Sequence, residues 1–473
     1  MWCGPRYLQV MGSRYFIGSR SLLLVVIAYL TASCALTPVR HDGSAQAPGV
    51  EASAPLAAAG LLLEATESKR SPARKTRAIM ALASPRILGS AIDMDVLDAA
   101  GYPAWRSEQR DELSDICPVR IAFSARRPEG GTERQSGMLY LPAPSAGSRR
   151  TLTWIIFLKG TEHLRDNVPS RGGGNERSMM ELSASLGYAV WAPDYAGMGD
   201  GEGFQEYCVP DSMSASALDG FAAARSYLET RGSDYGESGR LAILGYSQGG
   251  FAAMATLAAA TGSPPLIAGL EIVAAYPMGA PLNLMVGVPF LTAGPERIAR
   301  PDYQILLLLG WARAYPDVVR IEEILKPAII ERALPYFDGQ HDGDELCRII
   351  ARAVDKKADD VLDTDLYLPS YTSAMRQAPA TVPYFRIQDK TRLDRWSPPA
   401  GLPIILAATP SDELVRFDNS LSAYEWMRAS NSAADMTLVR LASPSHGRAA
   451  VEGLLYALVD LDDRENKTGE VGQ

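Results

Sequence analysis

Leu241-Ala-Ile-Leu-Gly245-Tyr246-Ser247-Gln248-Gly249-Gly250 is the stretch that decides the fold of this chain. An apolar run ends in a G-x-S-x-G, and an Ala-rich run follows at 251–260. This order predicts a buried strand, a sharp turn and a helix, with the hydroxyl of Ser247 exposed above the sheet. Side chains in place of the two glycines of the motif would collide with the neighbouring strand and helix. The alternative is a Gly-rich turn that only closes a strand, but the flanking runs favour a serine nucleophile for acyl transfer.

Residues on both sides of this turn alternate between short apolar runs and segments with helical spacing. Between about 150 and 260 the order is strand, helix, strand, helix, strand, helix, which predicts a parallel sheet with helices on both faces. Asp211 is a plausible N-cap for the second of these helices. The predicted strands are 119–124, 137–141 (an early antiparallel strand), 153–158, 188–192, 241–244, 267–275, 402–407 and 436–441, and the predicted helices are 178–186, 211–230, 251–260 and 449–461.

The stretch 285–385 breaks this alternation and contains helical apolar segments, among them 305–311 and 346–354. We interpret it as a helical cap or lid inserted into the sheet domain, the alternative being that it extends the core. Its apolar runs either line an acyl pocket or pack as core. The predicted organisation is an export signal (1–35), a linker rich in Ala, Ser, Pro and Gly (36–75), a first core part (76–284), the cap (285–385) and a second core part (386–465).

A serine hydroxyl becomes nucleophilic when a base, usually a histidine, takes its proton. His446 follows the last predicted strand, at the carboxyl edge of the sheet where Ser247 also emerges, and it is the predicted base. The alternative is a histidine on a surface loop. The other histidines are His41 in the linker, His163 on the loop after 153–158, and His341 in the cap.

The third member of such a triad is a carboxylate that orients the imidazole. Asp412, on the loop after 402–407, is the predicted acid, and Glu413 and Asp418 are its rivals. The negative oxygen of a tetrahedral intermediate needs N–H donors already in place. The predicted donors are the backbone N–H groups of Gln248 and Thr161, with that of Gly160 as the next choice.

Taken together, these residues resemble the secretory lipase branch of the α/β-hydrolase superfamily, the fungal lipase A-like enzymes and their bacterial relatives. The resemblance spans about 120–460 in organisation and is specific only in short blocks. It implies an α/β-hydrolase fold, with a mostly parallel central sheet, helices on both faces and a helical cap between nucleophile and acid, and it implies ester hydrolysis without a cofactor. The blocks are Gly245-Tyr-Ser247-Gln-Gly249-Gly250, Ala192-Pro-Asp194-Tyr-Ala-Gly197-Met-Gly199, the Gly160-Thr161 turn, Asp412 and His446.

Two positions qualify the resemblance. Many relatives carry a histidine where this chain has Lys159, just before the Gly-Thr, so the details of the oxyanion loop, residues 159–162, differ. Asp194 follows a predicted strand, and it has either a catalytic role or the structural role of capping backbone N–H groups in the turn.

We therefore predict an exported serine hydrolase, a lipase or carboxylesterase that cleaves a small-molecule or lipid ester through an acyl-enzyme. A peptidase or acyltransferase on the same fold is the alternative, and a non-catalytic binding protein is a third hypothesis, which the complete Ser-Asp-His set argues against. The net charge of −9 argues against nucleic acid as a partner, and four histidines in 473 residues argue against a His-rich metal centre. We expect neither metal nor cofactor.

The first 35 residues have the order of a secretory signal: arginines, an apolar run at 22–30, then small residues. Cys34 lies where a bacterial lipoprotein carries its lipidated cysteine, although Thr31 stands where a leucine is commoner. Ordinary cleavage after Ala35 is the alternative. The prediction is a secreted or periplasmic protein, or one anchored to the membrane through Cys34. Three cysteines remain, Cys117, Cys208 and Cys347, so at most one internal disulfide can form.

Overall fold

A nine-stranded sheet forms the centre of the molecule. The computed structural model describes residues 58–109, 112–145, 147–262, 267, 269–284 and 297–471. The strands are Leu62–Glu67 (β1), Ile116–Arg126 (β2), Thr132–Pro142 (β3), Arg150–Leu158 (β4), Ala189–Pro193 (β5), Tyr235–Tyr246 (β6), Glu271–Met278 (β7), Ile404–Ala408 (β8) and Met436–Arg440 (β9).

Helices connect most of the strands. Those before the cap are Ala73–Leu82 (α1), Pro85–Leu88 (α2), Asp95–Ala99 (α3), Tyr102–Gln109 (α4), Arg177–Ser185 (α5), Pro210–Thr230 (α6) and Gln248–Ala260 (α7). Those that follow are Pro301–Ala314 (α8), Pro327–Arg332 (α9), Gly343–Ala353 (α10), Asp363–Leu366 (α11), Pro369–Gln377 (α12), Pro383–Arg386 (α13), Gln388–Thr391 (α14), Asp418–Ser430 (α15) and His446–Val471 (α16).

The strand order is β1-β2-β3-β5-β4-β6-β7-β8-β9. The first four strands in this order pair antiparallel, and the strands from β5 to β9 pair parallel to their neighbours. The carboxyl ends of the parallel strands therefore meet at one edge, and the loops that leave them are brought together there. Both faces of the sheet are covered near its centre, where the last seven residues of β4 are all buried.

Two hydrophobic cores lie on opposite faces of the sheet. Alternate residues of β4 divide between them: Ile156 packs in the core that includes α6, α7 and the cap helices α8 and α10, whereas Ile155 packs in the core that includes α5 and α16. The prediction of helices on both faces is confirmed. The predicted strands and helices all have counterparts; most boundaries shift by a few residues, but β6 begins six residues before the predicted strand and α16 ends ten residues after the predicted helix.

The structure corrects the boundary of the predicted linker, 36–75. β1 and the start of α1 lie within it, so the folded part of the chain begins before residue 76. β1 is an edge strand that pairs with β2, and four of its six side chains are exposed. Main-chain hydrogen bonds hold such a strand in place, so it lacks the alternation of apolar residues that sequence reading depends on. Residues 1–57, with the predicted signal and Cys34, lie outside the described part.

Three helix starts also differ from expectation. α6 begins with Pro210 at its first position after Val209, so Asp211 lies inside the helix instead of capping it. A proline fixes the helical φ and lacks the N–H that a cap would satisfy, which favours this earlier start. α7 starts at Gln248, directly after the serine, and α16 starts at His446 instead of three residues later.

The described residues between β7 and β8 form helices α8 to α14 and contribute no strand to the sheet. Residues 285–296 of the predicted cap lie outside the described part, and helices continue to Thr391, past the predicted boundary at 385. Cys117, Cys208 and Cys347 are free thiols. Within the described ranges, no helix has the length and apolarity needed to cross a membrane.

Candidate active site

Ser247 lies between the end of β6 and the start of α7 in a strained backbone conformation. Its φ is 59° and its ψ is −123°, a region that side-chain-bearing residues rarely adopt. A Cβ atom on Gly245 would overlap the backbone of Gly249, and one on Gly249 would overlap the carbonyl oxygen of Leu158. The sharp turn at Ser247 is therefore packed tightly between β4 and α7, as the glycines of the motif indicated. Ser247 is half-buried among fully buried neighbours, so its side chain remains accessible.

Asp412 and His446 are hydrogen-bonded to each other. Oδ2 of Asp412 lies 2.6 Å from Nδ1 of His446. The other carboxylate oxygen accepts the backbone N–H groups of Leu414 at 2.9 Å and Val415 at 2.7 Å. The Asp412 side chain is fully buried, and its hydrogen bonds fix it in the turn after β8. This pairing leaves Nε2 as the ring nitrogen that can exchange a proton with another group.

The rival carboxylates have other partners. Oε2 of Glu413 accepts the backbone N–H of His446 at 2.9 Å, so it caps the first residue of α16 without reaching the ring nitrogen. Asp418 is the first residue of α15 and pairs with Arg416 at 3.1 Å. The structure thus brings Asp412 to the imidazole, as predicted, and separates Asp418 from it.

Two other histidines belong to different clusters. Nε2 of His163 lies 3.2 Å from the buried carboxylate of Asp302, and its ring stacks on Tyr303. His341 pairs with Asp338 at the surface, and the hydrogen bond to that carboxylate raises the pKa of His341. His41 lies outside the described residues.

One cavity of about 290 Å³ is lined by both Ser247 and His446. The loop after β4 supplies Gly160 and Thr161, and the cap supplies Tyr303, the third residue of α8. The other lining residues are Asn175, Glu176, Met179, Tyr246, Gly447, Ala450, Val451 and Leu454. The cavity is therefore built from the loops at the carboxyl edge of the sheet, one cap helix and the first turns of α5 and α16.

Glu176, which precedes α5, holds the loop that follows β4. Its Oε1 accepts the backbone N–H of Gly160 at 2.9 Å, and a Cβ on that glycine would lie 2.6 Å from the same oxygen. The N–H of Gly160 is therefore occupied. The backbone N–H of Thr161 makes no hydrogen bond within the described chain, while the Thr161 hydroxyl bonds that of Tyr207 at 2.8 Å. This geometry favours Thr161 over Gly160 as a donor. Gln248, the first residue of α7, has a backbone N–H without an intrahelical acceptor.

Lys159 is buried behind this loop, with only 1% of its surface exposed. Its ammonium group lies 4.7 Å from the centre of the Tyr195 ring and has no hydrogen-bond partner among the described residues. Burial lowers the pKa of Lys159, and the carboxylates of Glu162, Glu176 and Asp194 oppose that effect. Burial likewise raises the pKa of Glu176, opposed by the N–H of Gly160 and by Lys159.

Asp194 is enclosed by hydrogen bonds that favour a structural role, the capping of backbone N–H groups, over a catalytic one. One oxygen accepts the backbone N–H of Ser170 at 2.9 Å, and the other accepts the hydroxyl of Ser136 at 2.5 Å. The residue is fully buried and does not line the cavity of Ser247.

Glu176 and Glu452 are two carboxylates that sequence reasoning missed. Glu452, on α16, is fully buried and accepts the backbone N–H groups of Ala442 and Ser443, both at 2.9 Å. It thereby holds the loop that delivers His446. The sequence did offer a signal for Glu452, because a glutamate on the apolar face of the last predicted helix needs hydrogen-bond partners. No spacing or motif connects Glu176 to Gly160.

Comparison with known structures decides the fold. The rice cell wall degrading esterase LipA from Xanthomonas oryzae, in a ligand-bound form, superposes with a TM-score of 0.67 at 20% identity, over 85% of this chain and 97% of that one. The chain has the α/β-hydrolase fold. Lipase A from Candida antarctica, another α/β-hydrolase, superposes with a TM-score of 0.52 at 15% identity, over 82% of this chain and 78% of that one.

Sequence comparison covers only a part of the chain. The prolyl oligopeptidase family matches residues 175–263, a segment that runs from α5 through the serine turn to the end of α7. No curated protein sequence is significantly similar to the chain. The predicted fold class and the resemblance to lipase-like α/β-hydrolases are confirmed at the level of the fold. Within the described ranges, no group of His, Cys, Asp and Glu side chains could hold a metal ion.

Proposed function

We propose that this α/β-hydrolase is a serine hydrolase that cleaves carboxylic esters through an acyl-enzyme. One observation carries the proposal: His446, which is hydrogen-bonded to Asp412, lines the same cavity as the strained Ser247. A protein that only binds a ligand does not require all three groups in this arrangement. The structural similarity to an esterase and a lipase supports an ester as the substrate.

In the acylation step, the oxygen of Ser247 attacks the carbonyl carbon of the ester while Nε2 of His446 takes the hydroxyl proton. The buried carboxylate of Asp412 stabilises the imidazolium that results. The negative charge moves to the former carbonyl oxygen, where the backbone N–H groups of Thr161 and Gln248 donate to it. Collapse of this intermediate expels the alcohol, which receives the proton from His446.

Water then enters the cavity and loses a proton to His446 as it attacks the acyl carbon. The second tetrahedral intermediate uses the same two N–H donors. The proton returns to the oxygen of Ser247 as the acid leaves, so atoms and charge balance over the cycle. None of these steps uses a metal or an organic cofactor.

The substrate is a small-molecule or lipid ester in this proposal. Tyr303 brings the cap to the wall of the cavity, beside apolar residues of α5 and α16. An acyl chain fits such a lining better than a charged group does. The rate of hydrolysis of p-nitrophenyl esters of increasing chain length, with and without an emulsion, will show which acyl groups the cap accepts.

We also propose that the protein is exported and that Cys34 is either lipidated or lost with the signal. The arginines, apolar run and small residues at 1–35 support export. Mass spectrometry of the mature N-terminus from the native host distinguishes a diacylglyceryl-modified Cys34 from cleavage after Ala35. An uncleaved N-terminus would contradict export through this signal.

Substitution of the nucleophile tests the chemistry. Ser247→Ala is expected to abolish hydrolysis of p-nitrophenyl acetate and labelling by a fluorophosphonate probe, with the melting temperature unchanged. Ser107→Ala, at an exposed serine of α4, is the matched control and is expected to keep both activities. Full activity in Ser247→Ala would contradict the proposal. Failure of the unmodified protein to react with the probe would favour a non-catalytic role.

A peptidase is the second candidate, because the prolyl oligopeptidase family matches the segment that contains Ser247. The triad does not distinguish an amide from an ester bond. Comparison of kcat/KM for p-nitrophenyl esters and aminoacyl-p-nitroanilides separates the two candidates, and addition of an acceptor alcohol reveals acyl transfer. We expect the esters to react faster. A preference for the anilides would favour the peptidase.

A further inference from the structure

A second cavity, of about 610 Å³, lies at the start of the folded chain and shares no lining residue with the cavity of Ser247. Its walls come from the segment between β1 and α1, from the start of α1, from β2 and β3, and from the loop before α5 with the first residue of that helix. We call it the basic cavity because six cationic side chains line it. They are Lys69, Arg70, Arg74, Lys75, Arg171 and Arg177.

Four of these cations, the ones between residues 69 and 75, have no carboxylate within 4.0 Å in the described part of the chain, and all four are exposed. Arg171 and Arg177 are held by carboxylates, at 2.9 Å from Asp200 and 2.9 Å from Glu181. The lining contains one carboxylate, Asp115, which accepts the backbone N–H of Ala73 at 2.8 Å. In a chain with a net charge of −9, this is a local excess of positive charge that is not neutralised.

The second observation is independent of charge. Ser71 and Tyr140 line the basic cavity, and the hydroxyl oxygen of each is enclosed and has no hydrogen-bond partner among the described residues. Both residues are buried, with 5% and 1% of their surface exposed. The backbone of Ser71 exchanges two hydrogen bonds of 2.8 Å with Ile116, so its position is fixed. A buried hydroxyl without a partner is costly, and such a group in a native fold calls for a ligand, ion or water to satisfy it.

We propose that the basic cavity binds a phosphate group. A phosphate presents oxygens in several directions, which suits donors placed on different walls, and it forms strong charge-assisted bonds with Lys and Arg. The hydroxyls of Ser71 and Tyr140 donate to it from the buried side, while the exposed cations neutralise its charge from the open side. The cavity is larger than one phosphate and has room for a larger molecule that carries the phosphate. That molecule is either a soluble phosphate ester or the headgroup of an anionic lipid.

Calorimetric titration of the full chain with inorganic phosphate, against sodium chloride of equal ionic strength, tests the site. We expect saturable binding that weakens by at least about tenfold in the fourfold variant K69Q/R70Q/R74Q/K75Q. Tyr140→Phe, which removes only the hydroxyl, is expected to weaken binding by roughly three- to tenfold. Hydrolysis of p-nitrophenyl acetate at the unmodified rate and a melting temperature no lower than that of the unmodified chain are the checks on folding.

A matched control removes four exposed cations from the cap: R332Q/R348Q/R352Q/K357Q. It is expected to bind phosphate as the unmodified chain does. Equal losses in the two fourfold variants, or binding that Tyr140→Phe leaves intact, would overturn the proposal by showing only general attraction of anions. Absence of saturable phosphate binding would overturn it as well.

The source of the phosphate is decided by sedimentation with vesicles. If it is a lipid headgroup, the chain is expected to bind vesicles of phosphatidylglycerol over those of phosphatidylcholine, with binding lost in K69Q/R70Q/R74Q/K75Q and competed by inorganic phosphate. Phosphate binding without such vesicle binding supports a soluble phosphate ester. Vesicle binding that survives in this variant overturns the lipid assignment.

Discussion

Nδ1 of His446 lies 2.6 Å from Oδ2 of Asp412, across 34 residues of chain. The parallel strands that precede them explain the approach: β8 and β9 pair in register over their whole length, from Ile404 with Met436 to Ala408 with Arg440. Both loops therefore leave the same edge of the sheet. The backbone N–H groups that hold the other oxygen of Asp412 keep the carboxylate oriented before any substrate binds.

Removal of the negative charge from this pair should affect the chemical step. Asp412→Asn is expected to lower kcat for p-nitrophenyl acetate by roughly 10⁴-fold with little change in KM, because the imidazole loses its orientation and the stabilisation of its charged form. Steady-state kinetics measure both parameters. Asp418→Asn is the control and should retain the kcat of the unmodified protein. A drop of less than tenfold in Asp412→Asn would assign the role of the acid to another residue.

Glu176 should act as a positioning residue of the oxyanion loop. Glu176→Ala removes the acceptor of the Gly160 N–H and is expected to lower kcat by roughly 10- to 100-fold, because the loop no longer presents Thr161 in place. Glu176→Gln keeps a carbonyl oxygen at that position and should restore most of the activity. The measurement that discriminates is kcat of the two variants, after their melting temperatures have shown that both are folded as stably as each other. Equal losses in both would instead indicate that the negative charge itself is needed.

Acid stability should depend on Asp302, the cap residue that contacts His163. Burial raises its pKa, but the hydrogen bonds from Arg300 and the close contact with His163 outweigh burial and hold the pKa at about 2, below the ordinary 3.8. The folded state therefore binds this proton less readily than the unfolded chain. The resulting stabilisation of about 2 kcal/mol is present above pH 3.8 and is lost as the pH falls through 2.

Asp302→Asn is accordingly expected to lower the free energy of unfolding by about 2 kcal/mol at pH 7 and to flatten its fall toward acid pH. Urea denaturation between pH 7 and pH 2.5 measures both effects. Asp344→Asn is the control, because the exposed carboxylate of Asp344 also lies near Arg300, at 3.7 Å, and this variant should behave as the unmodified protein. An unchanged pH dependence in Asp302→Asn would contradict this account.

Lys159 should destabilise the fold at neutral pH. Its pKa in the folded state lies below the ordinary 10.5 because of burial, so the unfolded chain binds the proton more tightly. Stability then rises with pH between the lowered pKa and 10.5. Lys159→Met is expected to raise the free energy of unfolding at pH 7 by about 1 kcal/mol or more and to remove that rise. Urea melts at pH 7 and pH 9.5 test this, with the exposed Lys357→Met as the control. A less stable Lys159→Met would show that the amine is stabilised by its carboxylate neighbours.

Local sequence was sufficient to predict the elbow at Ser247, the parallel sheet and the positions of Asp412 and His446. Apolar periodicity, turn glycines and chain order are properties of neighbouring residues, and each limits the backbone within a few residues. Periodicity could not reveal β1, whose side chains are mostly exposed and which is joined to β2 by main-chain pairing and an ion pair between Arg120 and Glu64.

Only the tertiary structure decided which groups hold the site. In the folded chain Asp412, and not Glu413, contacts the imidazole of His446. The N–H of Gly160 donates to Glu176, and Lys159 is buried. These outcomes are hydrogen bonds and desolvation between segments distant in sequence, and they depend on distances of a few ångströms that no spacing along the chain encodes. The chain by itself specifies the strands and the turn that exposes the serine, whereas the packing of the loops against one another determines the donors, acceptors and charges around it.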